Sequence, residues 1–205
     1  MEYVNETTFY HIQREKPNFE FWKPGQTYFI GNYKNHFISF YDTASYGFTS
    51  LLAKQIYYTN LLFDAYQGKL HGEQYPADLN LSLENVAKEL SLCLNDYLVF
   101  IRETIFEEVR RESFPQLPSR QKGIWVIPAN DDSPYILEFW YRSLRITPLA
   151  KLLKLNLTGK VHWASQSFLD ITSSSIDDYR LRAFKYWNGA DVLKDHIQNE
   201  CIFEG

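Results

Sequence analysis

The stretch "ESFPQLPSRQKGIWVI", residues 112 to 127, is where the chain changes character. Upstream of it Val86, Leu90, Leu94, Leu98, Ile101, Ile105 and Val109 recur every three or four residues, the spacing of one helix face. Pro115 cannot sit inside such a helix, because its ring removes an amide hydrogen and collides with the preceding turn, so the pattern stops there. Downstream, "GIWVI" (123–127) is a short apolar run rich in β-branched and aromatic residues, the mark of a buried strand. Between helix and strand stand Pro115 and Pro118, then Ser119 and Arg120 side by side.

Toward the N-terminus, "TTFYHI" (7–12) and "TYFIG" (27–31) are β-prone, with "KPGQ" (23–26) as a turn. In "TSLLAKQIYYTNLLFDAYQG" (49–68), Leu51, Leu52, Ile56, Leu61, Leu62 and Ala65 fall near helical spacing, and Gly68 is a natural stop. The stronger helical span follows, capped by Ser82 with Asn85 at the capping-box position, as one long helix or two in series. Toward the C-terminus, "KVHWAS" (160–165) and "NECIFE" (199–204) read as strands, and "SPYILEFWYRSL" (133–144) and "IDDYRLRAFKYWNG" (176–189) as short helices. Strands, then helices, then strands with small helices between them predict an α+β fold. No repeat or linker-like tract divides residues 1–205, so a single domain is expected, with a mainly helical insertion at about 48–114.

Composition narrows the function. Hydrophobic residues make up 45% and aromatic residues 17% of the 205, which a disordered chain does not carry. Fifteen Tyr, 15 Phe and 5 Trp fill cores and also line clefts for flat rings. A net charge of −4 speaks against binding nucleic acid by overall charge. It leaves a local basic group, Arg102, Arg110, Arg111, Arg120 and Lys122, whose ready partners are Glu103, Glu107 and Glu108 at helical spacing. Cys93 and Cys201 are far apart and fit no metal spacing, as in a reduced intracellular chain. The start "MEYVNETTFYHIQREK" lacks the basic and apolar parts of a signal peptide, and no apolar run approaches a membrane span. The cytoplasm is the expected location.

The usual signatures of chemistry are missing. His11, His36, His71, His162 and His196 show no H-x-x-x-H or clustered Cys/His spacing, so no metal is expected. Neither a Walker loop, nor G-x-G-x-x-G, nor G-x-S-x-G is present. Nucleotide binding has to use side chains. Three places offer them: His11 in "FYHI", Ser119 and Arg120 ahead of Trp125 in "LPSRQKGIWVI", and Glu200 in "NECIFEG". Each has a plain structural reading beside the functional one. His11 is then a satisfied histidine, Arg120 pairs with Glu108 or Glu112, and Glu200 is a charge that protects an edge strand.

The order of these residues, with "FEEVRRESFPQLPSRQKGIWVI" (106–127), "EFW" (138–140), "YWNG" (186–189) and "ECIFEG" (200–205), resembles the ADP-ribosyltransferase superfamily and a bacterial family placed within it. The resemblance implies a split β-sheet core with the helical insertion between its first and second strands. It implies cleavage of NAD at the nicotinamide–ribose bond, through a transition state of oxocarbenium character, and transfer of ADP-ribose to a protein or nucleic acid. Glu200 is the implied catalytic carboxylate beside the sugar. His11 and Ser119 are implied ligands of ribose or amide groups, Arg120 of the diphosphate and Trp125 of the nicotinamide ring. No metal is implied. The setting is a bacterial toxin or phage-related effector, with an antitoxin or immunity protein as its partner and the insertion as the seat of acceptor choice. Two other outcomes fit the same residues: a binding module without catalysis, and an NAD glycohydrolase whose acceptor is water. The chain departs from the superfamily pattern where Ile12-Gln13 follow the histidine in place of Gly-Ser or Gly-Thr, and where the usual Tyr or Ser-Thr-Ser middle motif is missing, for which Ser119 and Trp125 stand as substitutes. Gln198, two positions before Glu200, gives a Q-x-E arrangement like that of some transferases.

Overall fold

The computed structural model describes residues 1–14, 22–35, 37–39, 60, 63–64, 83–130, 133–143, 150–171, 175–192 and 199–205. The chain divides into two compact units, Met1–Asn35 with Thr104–Gly205, and His36–Glu103. In the second unit Ile38, Cys93 and Glu103 are buried, and Arg102 pairs with Glu103 at 2.7 Å. The helix expected at 49–68 lies almost wholly outside the described residues, as do Ser82, His36, His71, His196 and Gln198.

The first unit is a closed barrel of four strands. β1 (Glu2–Arg14), β2 (Ile124–Pro128), β3 (Ala150–Ser165) and β4 (Asn199–Glu204) follow one another around it in the order β1-β2-β4-β3, and every neighbouring pair is antiparallel. Side chains alternate across a strand, so each strand sends every second residue inward. Val4, Phe9, Val126, Leu157, Val161, Cys201 and Phe203 meet inside, with Ile30, Ile124, Leu155 and Trp163 packed around them. The register agrees throughout: Val126 and Trp163 both face Cys201, and Ile124 and Val161 both face Phe203. A bulge between Val4 and Thr7, with Glu6 at φ 49°, lets β1 bend while keeping both Val4 and Phe9 inside. Opposite Val4 sits Gly159, where a Cβ would stand 2.5 Å from the Glu204 carbonyl oxygen, so only glycine lets the strands close there.

With α1 (Leu83–Ser113), α2 (Ser133–Ser143) and α3 (Ile176–Trp187), the protein is α+β, as the order of patterns predicts. α1 is one helix, and its end is tied by Phe114 N–H to the Arg110 carbonyl at 2.7 Å. Three expectations need correction. β3 begins ten residues before "KVHWAS", because Leu153, Leu155 and Leu157 alternate with Lys154, Asn156 and Thr158 along an exposed ribbon with β1. "TYFIG" forms no strand; Ile30 exchanges two backbone hydrogen bonds with Gly205, 2.7 and 2.9 Å, past the end of β4. Glu200 is on no edge, since β4 has β2 on one side and β3 on the other. Among the described residues no helix is long and apolar enough to cross a membrane.

Candidate functional site

The outward residues of β2, β4 and β3 form a second layer. Trp125 and Ile202 face each other, Glu200 faces Ala164, and His162 faces Ile202. α3 lies on this layer. Its apolar stripe is Tyr179, Ala183, Tyr186 and Trp187, all buried and spaced as one helix face. Trp187 donates its indole N–H to the Phe106 carbonyl at 2.7 Å, which fastens α3 to the last turns of α1. Ser175 caps the start of α3 by accepting from Asp178 N–H at 3.1 Å. Gly189 at φ 70° ends it, with Gly189 N–H to the Tyr186 carbonyl and Ala190 N–H to that of Lys185. That pair of bonds is a Schellman closure, which leaves Tyr186 in a locked last turn.

At the centre is a buried cluster of three residues from three stretches of chain. Arg120 donates to the Glu200 carboxylate and, at 2.7 Å, to the Tyr186 hydroxyl, while that hydroxyl donates to Glu200. Arg120 is 3% exposed, Glu200 4% and Tyr186 0%. The guanidinium carbon lies 5.1 Å from the Tyr186 ring centre and 5.5 Å from that of Trp125. A buried charge needs such neighbours, because removal from water costs several kcal/mol per ion. The expected pairing of Arg120 with Glu108 or Glu112 does not form. Arg180 takes both carboxylates, each at 2.7 Å.

The loop that carries Arg120 is shaped by its own backbone. Gly123 N–H reaches the Ser119 carbonyl at 2.7 Å, and the Asn35 amide donates to the carbonyls of Arg120 (2.7 Å) and Gly123 (2.8 Å). Ser119 turns the other way. Its hydroxyl donates to Glu107 at 2.9 Å and accepts from Gln121 N–H at 3.1 Å, and its N–H donates to Glu204 at 2.9 Å. Burial pushes the Glu107 carboxyl up, but Arg110, Ser119 and Arg111 outweigh it and hold the carboxyl below its ordinary value. The Ser-Arg pair is thus a fork: Ser119 anchors the loop to α1, and Arg120 crosses to β4. Arg110 and Arg111 both pair with Glu107, at 2.8 and 3.1 Å, in the helical pairing the sequence suggests.

His11 sits elsewhere. By alternation it shares the inward face of Phe9, whereas Glu200 faces outward. Its Nδ1 lies 2.8 Å from the Trp125 carbonyl, which can only accept, so Nδ1 carries the proton and Nε2 holds a lone pair. Burial lowers its pKa, and the carbonyl pulls it weakly back up. Trp22 stacks on the ring at 5.5 Å and Tyr28 on Trp22 at 5.1 Å. Of the five residues singled out in the sequence, Arg120, Trp125 and Glu200 come together; His11 reaches them only through the Trp125 backbone, and Ser119 only as Arg120's neighbour. A shallow cavity of about 420 Å³, bordered by Tyr3, Phe29, Gly31, Lys160 and Glu204, contains none of the five.

Two residues of this layer escape the sequence reading. Tyr186 falls within "YWNG", and its phenol on a buried stripe is a signal in itself, since a buried hydroxyl needs a partner. His162 is 4% exposed, lies 5.6 Å from Trp187 and 6.3 Å from Tyr186 by ring centres, and has no full hydrogen bond to either nitrogen among the described residues. Burial first, then the Met1 ammonium, lower its pKa to about 4; the Tyr186 backbone pulls weakly the other way without completing a hydrogen bond. Among the described residues no group of three or more His, Cys, Asp or Glu is arranged to hold a metal ion.

A family model described as a protein of unknown function, DUF2441, matches residues 9–205, and the chain belongs to that family. No curated protein matches it.

Proposed function

We propose that this member of the DUF2441 family is an NAD-dependent mono-ADP-ribosyltransferase, built on an ADP-ribosyltransferase-like core and acting on a protein or nucleic-acid acceptor. The observation that carries this reading is the convergence of Arg120 and Trp125, from one stretch, with Glu200, 80 residues after Arg120, in one buried layer. The diphosphate of NAD takes the Arg120 fork, the nicotinamide lies against Trp125, and Glu200, freed of its cation, faces the ribose. The bond from C1′ to the nicotinamide nitrogen breaks with its electron pair leaving on nicotinamide. The acceptor's nucleophilic atom bonds to C1′ and gives its proton to Glu200 or to water. His11 and Ser119 act from behind: one fixes the Trp125 backbone, the other the Arg120 loop. The setting is that of an intracellular toxin or phage-related effector held in check by an immunity protein.

One observation favours a second reading, an ADP-ribosyltransferase-like binding module without catalysis. The Glu200 carboxylate is 4% exposed and already engaged by Arg120 and Tyr186. Wild type and Glu200→Gln are incubated with labelled NAD and cell lysate, and the products are digested with protease or nuclease. Transfer to macromolecules that falls by roughly 10²–10³ in Glu200→Gln supports the transferase, and the digesting enzyme names the acceptor class. Free ADP-ribose without labelled macromolecule means hydrolysis. NAD binding with no nicotinamide release means the binding module.

A further inference from the structure

The sequence motif "YWNG" has no role in the reaction as described so far, yet it supplies the residue that touches both charged members of the cluster. Tyr186 accepts from Arg120 at 2.7 Å and donates its own proton to Glu200. The guanidinium occupies the phenol's acceptor side, and the phenol proton points to the carboxylate. The ring is held from several sides: Phe106 edge-on at 5.2 Å, Trp187 at 4.8 Å, and the Schellman closure at Gly189 directly after it. The hydroxyl therefore stays where it is when a neighbour moves.

That matters because one guanidinium nitrogen of Arg120, Nη1, serves both Glu200 and Tyr186, and a diphosphate that draws this nitrogen takes it from the carboxylate. When its fork turns to a diphosphate, Glu200 loses its cation and, in a water-poor layer, a bare carboxylate tends to pick up a proton. We propose that Tyr186 is a positioning residue: its hydroxyl keeps the Glu200 carboxylate aimed and charged while Arg120 holds the diphosphate. The proposal rests on the transferase reading for its purpose, though the interaction itself stands apart from any substrate. The titratable and charged groups facing Glu200 among the described residues are Arg120 from the loop before β2, Tyr186 from α3 and His162 from β3, which contacts the same phenol ring.

The test is Tyr186→Phe, which deletes one oxygen and leaves the ring packing in place. In protein carrying ¹³C-labelled glutamate, with Glu200 assigned by Glu200→Gln, the carboxyl signal is titrated without substrate. Loss of one hydrogen bond to an ionised group raises the proton affinity of Glu200 about tenfold. The acid limb of the pH profile for nicotinamide release moves up by the same factor. 3-Fluorotyrosine at position 186, a stronger donor of the same shape, moves both the opposite way and keeps the test available should Tyr186→Phe fail to fold. An unmoved Glu200 titration in both variants overturns the proposal. A titration that moves in a protein releasing no nicotinamide at any pH leaves the role of Tyr186 standing and overturns the transferase reading instead.

Discussion

The two faces of the same strands make opposite choices. Inward, β1, β2, β3 and β4 gather Val4, Phe9, Val126, Leu157, Val161, Cys201 and Phe203, with no charge among them. Outward, Glu200 of β4 and His162 of β3 meet Arg120 of the loop before β2 and Tyr186 of α3, equally shut off from water. The inner face is a store of stability, since apolar burial is favourable without exact partners. The outer layer is buried at a cost that only matched partners offset, so Arg120, Tyr186 and Glu200 depend on one another in a way that the inner residues do not.

The contrast can be broken first at its cores. Phe9→Ala empties part of the barrel interior and is expected to cost about 3–5 kcal/mol in denaturant unfolding. Arg120→Ala should cost as much, about 3–5 kcal/mol, for the different reason that it leaves Glu200 buried without its cation. Adding Glu200→Gln should restore much of the Arg120→Ala loss and none of the Phe9→Ala loss. Equal behaviour of the two double variants would show that the outer layer is ordinary core.

A smaller and sharper effect comes from His162. Its pKa is lowered to about 4 in the fold, against about 6.5 in the unfolded chain. Between those values the unfolded state binds a proton that the folded state does not. Stability is therefore full above about pH 6.5 and falls as the pH drops toward 4, by about 3 kcal/mol in all. In His162→Phe that part of the slope vanishes, as the difference between two denaturation series across that window reports. Least of all, Gly189→Ala meets no neighbour within 4 Å and pays only for a left-handed backbone, about 1 kcal/mol in a thermal melt.

How far the sequence could be read follows from the same two faces. Apolar periodicity found α1 and α3, because each shows its buried face as a pattern, and short β-prone runs found β2 and β4. It passed over the first half of β3, where alternation was present but spread over lysines and a polar ribbon. It saw a strand in "TYFIG", since β-prone composition does not reveal that the barrel leaves only the end of β4 to pair with. The cluster was half visible. Arg120 and Glu200 stand out as residues, but their pairing joins a loop to a strand across the unit, and no local spacing encodes that. Tyr186 was noted within "YWNG" but given no role, because on its stripe a phenol counts as one more large apolar ring.

Closure of the barrel also governs when the molecule can come into being. Phe9 pairs with Pro128, Glu2 with Val161 and Arg14 with Ala150, so β1 has no antiparallel neighbour until β2 and then β3 have been made. β2 likewise waits for β4, which carries Glu200. Such distant pairings make for slow assembly, with an early β-prone segment left open to wrong partners in the meantime. They also mean that the arginine waits for its carboxylate, because Glu200 is made 80 residues after Arg120.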